Sequence, residues 1–184
     1  EREVLKAPEA RRGRALSIDT VGVVGGGTMG TGIAVALLDA GLSVIVLERD
    51  AAALERARRS IEAIYQGLVT KARLSSDAMT QRLARWQGAT AYEALADVDL
   101  VIEAVFEDMA VKRQVLSALD RVCKPGAILA TNTSYLDIDA LAAGVSRPES
   151  VIGLHFFSPA HLMRLLEVVV PAQARDDAVA TGFA

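Results

Sequence analysis

Six consecutive residues, Gly25-Gly26-Gly27-Thr28-Met29-Gly30, restrict what this chain can fold into more than any others. They follow a short apolar run, Thr20–Val24, and open a second apolar stretch, residues 28–40, that stops at Gly41. The first run suits a buried strand and the second a helix closed by a glycine. Turning from strand to helix in so few residues requires positions that lack a Cβ. Gly25 permits the tight turn, Gly27 lets another molecule approach the backbone, and Gly30 lets the helix pack close to the sheet. The helix start that results, with Thr28 and Met29 in its first turn, presents free N–H groups to phosphate charge.

The pattern G-x-G-x-x-G is a weak signal alone, and a glycine-rich turn without a ligand is the bland alternative. Here a second strand, Ser43–Leu47, ends at Glu48, 18 residues after Gly30. A carboxylate in that place can accept hydrogen bonds from both hydroxyls of an adenosine ribose, and it repels a 2′-phosphate. Loop, strand–helix context and acid together form the fingerprint of an NAD site. Arg49, beside the acid, softens the discrimination against NADP.

The rest of the chain alternates in the same way. A long helix is expected over 51–71, with Arg56, Arg58 and Arg59 on a solvated face, and a further helix over 75–86. Then come a strand at 100–104, a helix at Met109–Val122, a strand at Ile128–Thr131 and a short helix at 137–143. Strands follow at 151–155 and 165–170, and a helix starts at 176. Such alternation predicts an α/β fold, a Rossmann-type doubly wound, mainly parallel sheet with helices on both faces. Residues 1–17, rich in charge, are expected to be a linker or the tail of a preceding segment, and 18–184 the folded domain.

Composition removes several classes of function. Hydrophobic residues make up 52% of the chain, enough for a sizeable core, and the formal charge of -3 gives no general attraction to nucleic acid or anionic membrane. Cys123 is the single cysteine, which excludes an intrachain disulfide; with only His155 and His161 beside it, no zinc site is expected. Residues 21–38 carry no charge, yet the six glycines among them argue against a membrane span.

Chemistry is expected where polar groups follow strands, because ligands bind at the carboxyl ends of a parallel sheet. Three segments qualify: Thr131-Asn132-Thr133-Ser134, the stretch from Gly153 to Pro159 with His155 at a strand end, and Leu165-Leu166-Glu167-Val168-Val169. A Glu among Leu and Val is costly to bury without a partner, and His155 is the natural one. A carboxylate on one ring nitrogen raises the basicity of the other, which makes a general base for an alcohol proton.

At this point the chain resembles the L-3-hydroxyacyl-CoA dehydrogenases, most of all the dehydrogenase part of the multifunctional fatty-acid β-oxidation enzymes. The resemblance runs from about Ile18 to Val170 on VGVVGGGTMGTGIA, VIEAVFEDMAVKRQV, TNTSYLDI and GLHFFSPAHLMRLLEV. It implies oxidation of L-3-hydroxyacyl-CoA to 3-oxoacyl-CoA with NAD, His155 as base and Glu167 as its orienting partner. It implies that Ser134 bonds the substrate oxygen near the nicotinamide and that Glu107 and Lys112 line the cofactor site. Ser158 stands where short monofunctional members carry an asparagine near the nicotinamide, and Lys71 falls where the family places a CoA-phosphate contact. The family's catalytic unit continues into a helical domain, so the chain is expected to be a fragment of low activity alone, with an apolar docking surface prone to self-association. A cytoplasmic address is implied for a bacterial source, a peroxisomal or mitochondrial one for a eukaryotic source. Two alternatives stand beside this: a non-catalytic NAD-binding module, and another NAD-dependent hydroxyacid dehydrogenase of the 6-phosphogluconate-like group. The pairing of His155 with Glu167 speaks against the first, and the segment around His155 against the second.

Overall fold

The computed structural model describes residues 13–184. Among them, seven strands form one sheet: β1 (Thr20–Val24), β2 (Ser43–Leu47), β3 (Trp86–Ala89), β4 (Leu100–Glu103), β5 (Ile128–Thr131), β6 (Val151–Phe156) and β7 (Leu166–Val169). Their order in space is β3-β2-β1-β4-β5-β6-β7. The first six are parallel, and β7 runs antiparallel to β6. Winding reverses at β1, with β2 on one side and β4 on the other. Connections leave that point in opposite directions and open a crevice above the strand ends.

Among the described residues six α-helices connect and cover the strands: α1 (Thr28–Asp39), α2 (Ala51–Thr70), α3 (Ser76–Leu83), α4 (Met109–Val122), α5 (Ile138–Ala142) and α6 (Asp176–Phe183). Neighbouring strand residues serve opposite faces, as the pleat requires. Val23, Ile102 and Ile128 join Ile33, Ile61, Tyr65 and Val179 in the core beneath α1, α2 and α6. Val24, Val101 and Leu129 join Leu116, Leu119 and Leu141 beneath α4 and α5. Burial on both faces explains why these strands read as continuous apolar runs. Cys123 lies in the second core, where burial pushes its thiol up to about 11.

The helix expected over 75–86 is shorter, and its last residue belongs to a strand. α3 ends at Leu83, and Trp86 opens β3, which pairs with β2 alone. Four residues with a glycine among them carry no strand periodicity; the ladder of β2 supplies what the local sequence lacks. Of the expected linker, residues 1–12 lie outside the described residues, while 13–17 carry no helix or strand and Leu16 N–H donates to Thr181 Oγ1 at 2.9 Å. No described helix is long and apolar enough to cross a membrane, and no described group of His, Cys, Asp and Glu could hold a metal.

Candidate active site

The predicted site residues, Lys71 aside, collect along the carboxyl edge of the sheet, at the ends of β1, β2, β4, β5 and β6. At the β1 end, Gly25 has φ +93°, and a Cβ on Gly30 would lie 1.7 Å from the Gly25 carbonyl oxygen. Gly30 therefore serves the turn itself more than the helix–sheet approach expected of it. Gly26 makes the close approach, since its Cβ would meet that of Ala57 on α2 at 2.5 Å. At Gly27 a Cβ would meet nothing within 4 Å, so the space beside it is open. Helices α2 to α5 each have a side-chain N-cap, from Asp50, Ser75, Asp108 and Asp137, but α1 begins at Gly27 without one. The N–H groups at Thr28, Met29 and Gly30 are left for an anion, as a pyrophosphate requires.

Glu48 closes this end. One carboxylate oxygen accepts the Gly26 N–H at 2.8 Å and the other the Arg49 N–H at 3.0 Å. The acid thus braces the glycine loop, and each oxygen keeps acceptor capacity for a ribose hydroxyl. A cleft of about 630 Å³ runs beside it, lined by Gly25, Gly27, Glu48, Arg56, Tyr92 and Phe106 among others. Open glycine, uncapped helix and acid fit the adenosine diphosphate part of NAD.

The β4–β5 end is built from charge. Glu103, the last residue of β4, is completely buried, and Lys112 on α4 is 1% exposed. Lys112 Nζ donates to Glu103 Oε1 at 2.8 Å and lies 3.2 Å from Glu107 Oε2. Glu103 also accepts the Val105 N–H at 2.8 Å and the Thr131 hydroxyl at 2.7 Å. Glu107 accepts the Thr133 hydroxyl at 2.6 Å and the Ser134 N–H at 2.8 Å, with the Ser134 hydroxyl at 3.2 Å. Burial works against ionisation of Glu107, yet the bonds from Thr133, Ser134 and Lys112 outweigh it and hold its carboxyl below the usual range. The chain from Thr131 through Glu103, Lys112 and Glu107 to Ser134 ties three elements into one polar unit.

At the β6 end, His155 and Glu167 face each other across the β6–β7 ladder, and His155 Nδ1 lies 2.8 Å from Glu167 Oε2. A carboxylate only accepts, so Nδ1 carries a proton, and in the neutral ring the lone pair is then on Nε2. The His155 ring leans on Phe157, with centroids 4.6 Å apart. Asn132 joins β6 to this edge by accepting the Phe156 N–H at 2.8 Å. The premise of a buried Glu167 is corrected: its side chain is 42% exposed on the outermost strand. Register, not burial, pairs it with His155.

Ser158 is exposed two residues after β6, and Lys71 caps the far end of α2. Twenty residues of helix separate Lys71 from Asp50, roughly 30 Å, so Lys71 stands apart from the glycine loop. Around the edge, Phe106, Tyr135, Leu162, Met163 and Leu165 are exposed. Sequence reasoning placed Gly26 and Asn132 in the right segments without giving either a task, and it missed Glu103. The signal for Glu103 was available: it is the carboxylate that does lie inside an apolar strand, with a lysine nine residues on.

Fold and site define a nicotinamide-dinucleotide-binding domain of the dehydrogenase type. Residues 20–184 match the family described as 3-hydroxyacyl-CoA dehydrogenase, NAD binding domain, and the chain belongs to that family. It is 45% identical over 168 residues to the peroxisomal bifunctional enzyme of Cavia porcellus, covering 91% of this chain and 23% of that one. It is 43% identical over 154 residues to 3-hydroxyadipyl-CoA dehydrogenase of Escherichia coli K12, covering 84% and 32%. The crystal structure of M. tuberculosis FadB2 superposes with a TM-score of 0.88 at 37% identity, covering 90% of this chain and 59% of that one. The chain thus spans between about a quarter and a third of the length of these two curated relatives.

Proposed function

We propose that these residues form the cofactor half and the base of an enzyme that oxidises L-3-hydroxyacyl-CoA to 3-oxoacyl-CoA in fatty-acid β-oxidation. NAD, when bound, supplies the acceptor for the hydride leaving C3. The glycine loop and Glu48 would hold its adenosine diphosphate, and Glu107, Lys112, Ser134 and Ser158 would line the nicotinamide side. His155 Nε2 takes the 3-hydroxyl proton, and Glu167 stabilises the imidazolium through Nδ1–H. Ser134 donates to the substrate oxygen. The observation that carries the reading is the His155–Glu167 bond of 2.8 Å at the strand edge where the sheet places ligands.

The exposed rim of Phe106, Tyr135, Leu162, Met163 and Leu165 suits an acyl chain and a covering helical domain, and uncovered it favours self-association. Lys71 is proposed to meet a CoA phosphate. The address follows the source: cytoplasm in a bacterium, peroxisome or mitochondrion in a eukaryote. His155→Asn in the full-length protein tests the core of the proposal. NADH formation from L-3-hydroxybutyryl-CoA should fall about 10²–10⁴-fold while NAD affinity stays as it was. Undiminished turnover would remove His155 as the base and the proposal with it.

A further inference from the structure

The Glu103–Lys112–Glu107 unit contains two carboxylates and one ammonium, so one negative charge is left over. Where it sits follows from the geometry. Lys112 Nζ is 2.8 Å from the completely buried Glu103 and 3.2 Å from Glu107, so one ammonium is shared between two carboxylates. Of the two carboxylates only Glu107 reaches the rim of the crevice, where it touches Thr133 and Ser134, so the surplus charge of the unit acts on the crevice from there. Asp108, next in sequence, does not change this count, because its carboxylate accepts the N–H groups of Ala110 and Val111 and answers the positive end of α4.

Oxidised and reduced nicotinamide differ by one positive charge on the ring; the rest of the two molecules carries the same charge. A fixed negative charge near the ring therefore discriminates between them, whatever it does to overall affinity. We propose that Glu103, which no substrate or cofactor can reach, sets the preference of this domain for NAD⁺ over NADH by sharing the Lys112 ammonium with Glu107 and so leaving a net anion beside the nicotinamide. The inference rests on the placement of the nicotinamide at the β4–β5 edge.

Glu103→Gln isolates the charge. The amide oxygen can keep the bonds from Lys112 and Val105, and the amide N–H can donate to Thr131 Oγ1, whose hydroxyl turns to accept. Only the charge is lost; Lys112 then neutralises Glu107, and the unit becomes neutral. A unit charge acting over about 12 Å at an effective dielectric of about 20 corresponds to about tenfold in a binding ratio. The experiment titrates the full-length protein with NAD⁺ by calorimetry and with NADH by its fluorescence, at one ionic strength, for wild type, Glu103→Gln and Glu107→Gln. Expected is an NAD⁺/NADH affinity ratio about tenfold lower in Glu103→Gln, with Glu107→Gln shifted in the same direction. A merely structural role would weaken both nucleotides alike, so an unchanged ratio in folded Glu103→Gln overturns the inference. Should that variant not fold, an unchanged ratio in Glu107→Gln overturns it instead. If both nucleotides bind wild type and the ratio does not move, the cofactor site stands and this inference alone falls; if wild type binds neither, both fall.

Discussion

The two ends of the crevice are built by opposite means. At β1 and β2 the site is made by removing atoms: Gly27 leaves open space, Gly25 bends the backbone, and α1 lacks a side-chain cap. At β4, β5 and β6 it is made by adding charge and fixing it, with Lys112 locked between Glu103 and Glu107 and His155 held by Glu167. On the proposed function the difference follows from the ligand. A pyrophosphate carries its own charge and asks for backbone N–H groups at close range, whereas a reacting carbon needs groups whose protonation and orientation are set beforehand.

The largest break of this comparison comes from filling the open end. Gly27→Val should lose measurable NAD affinity with the fold intact, because the new side chain enters free space that the pyrophosphate needs. Circular dichroism and calorimetry on one sample would decide it; retained affinity would take the loop out of the site. At the charged end, Lys112→Met should instead cost stability, about 3–5 kcal/mol, by leaving Glu103 buried without its cation. Urea unfolding measures this, and a change below about 1 kcal/mol would mean that the Lys112–Glu103 pair does not hold the fold together.

Glu167→Gln should show the reverse balance. Its carboxylate is well exposed, so stability should change by less than about 1 kcal/mol, while kcat of the full-length enzyme should fall about a hundredfold. Normal kcat would reduce the pair to a sheet contact. Cofactor choice is a smaller effect: NAD should bind about tenfold more tightly than NADP, since Glu48 is pinned by the Gly26 N–H where a 2′-phosphate would sit. Equal affinities would pass control to Arg49 and Arg56.

The smallest effect is in acid. The Glu107 carboxyl is held below its ordinary value of 4.5, so the stability it contributes is complete above that pH and is lost as pH falls through the lower folded value. The melting temperatures of wild type and Glu107→Gln should therefore differ at pH 7 and converge toward pH 3. A gap that widens in acid would contradict the hydrogen bonds described for Glu107.

How far the sequence reached depends on the range of the interaction. The buried strands β1, β2, β4 and β5 were legible because burial on both faces writes apolar runs into the chain. β3 was not, because Trp86–Ala89 becomes a strand only by pairing with β2, some forty residues earlier. The glycine loop was legible since Gly25 and Gly30 answer local backbone demands, although Gly30 serves the turn rather than the helix–sheet approach expected of it, and that approach falls to Gly26, which had been given no task. His155 with Glu167 was correctly paired for a reason that does not hold, the full burial of a carboxylate whose side chain is in fact 42% exposed.

By itself, then, the sequence determined the alternation of strands and helices, the glycine turn and the acid after β2, all of which depend on residues close along the chain. Only the tertiary structure decided that β7 turns antiparallel and sets Glu167 opposite His155, and that Glu103 lies in the interior with Lys112 bent back onto it. Those outcomes depend on strand register and on which of two carboxylates loses its water. Both are set by packing between elements, which no local pattern records.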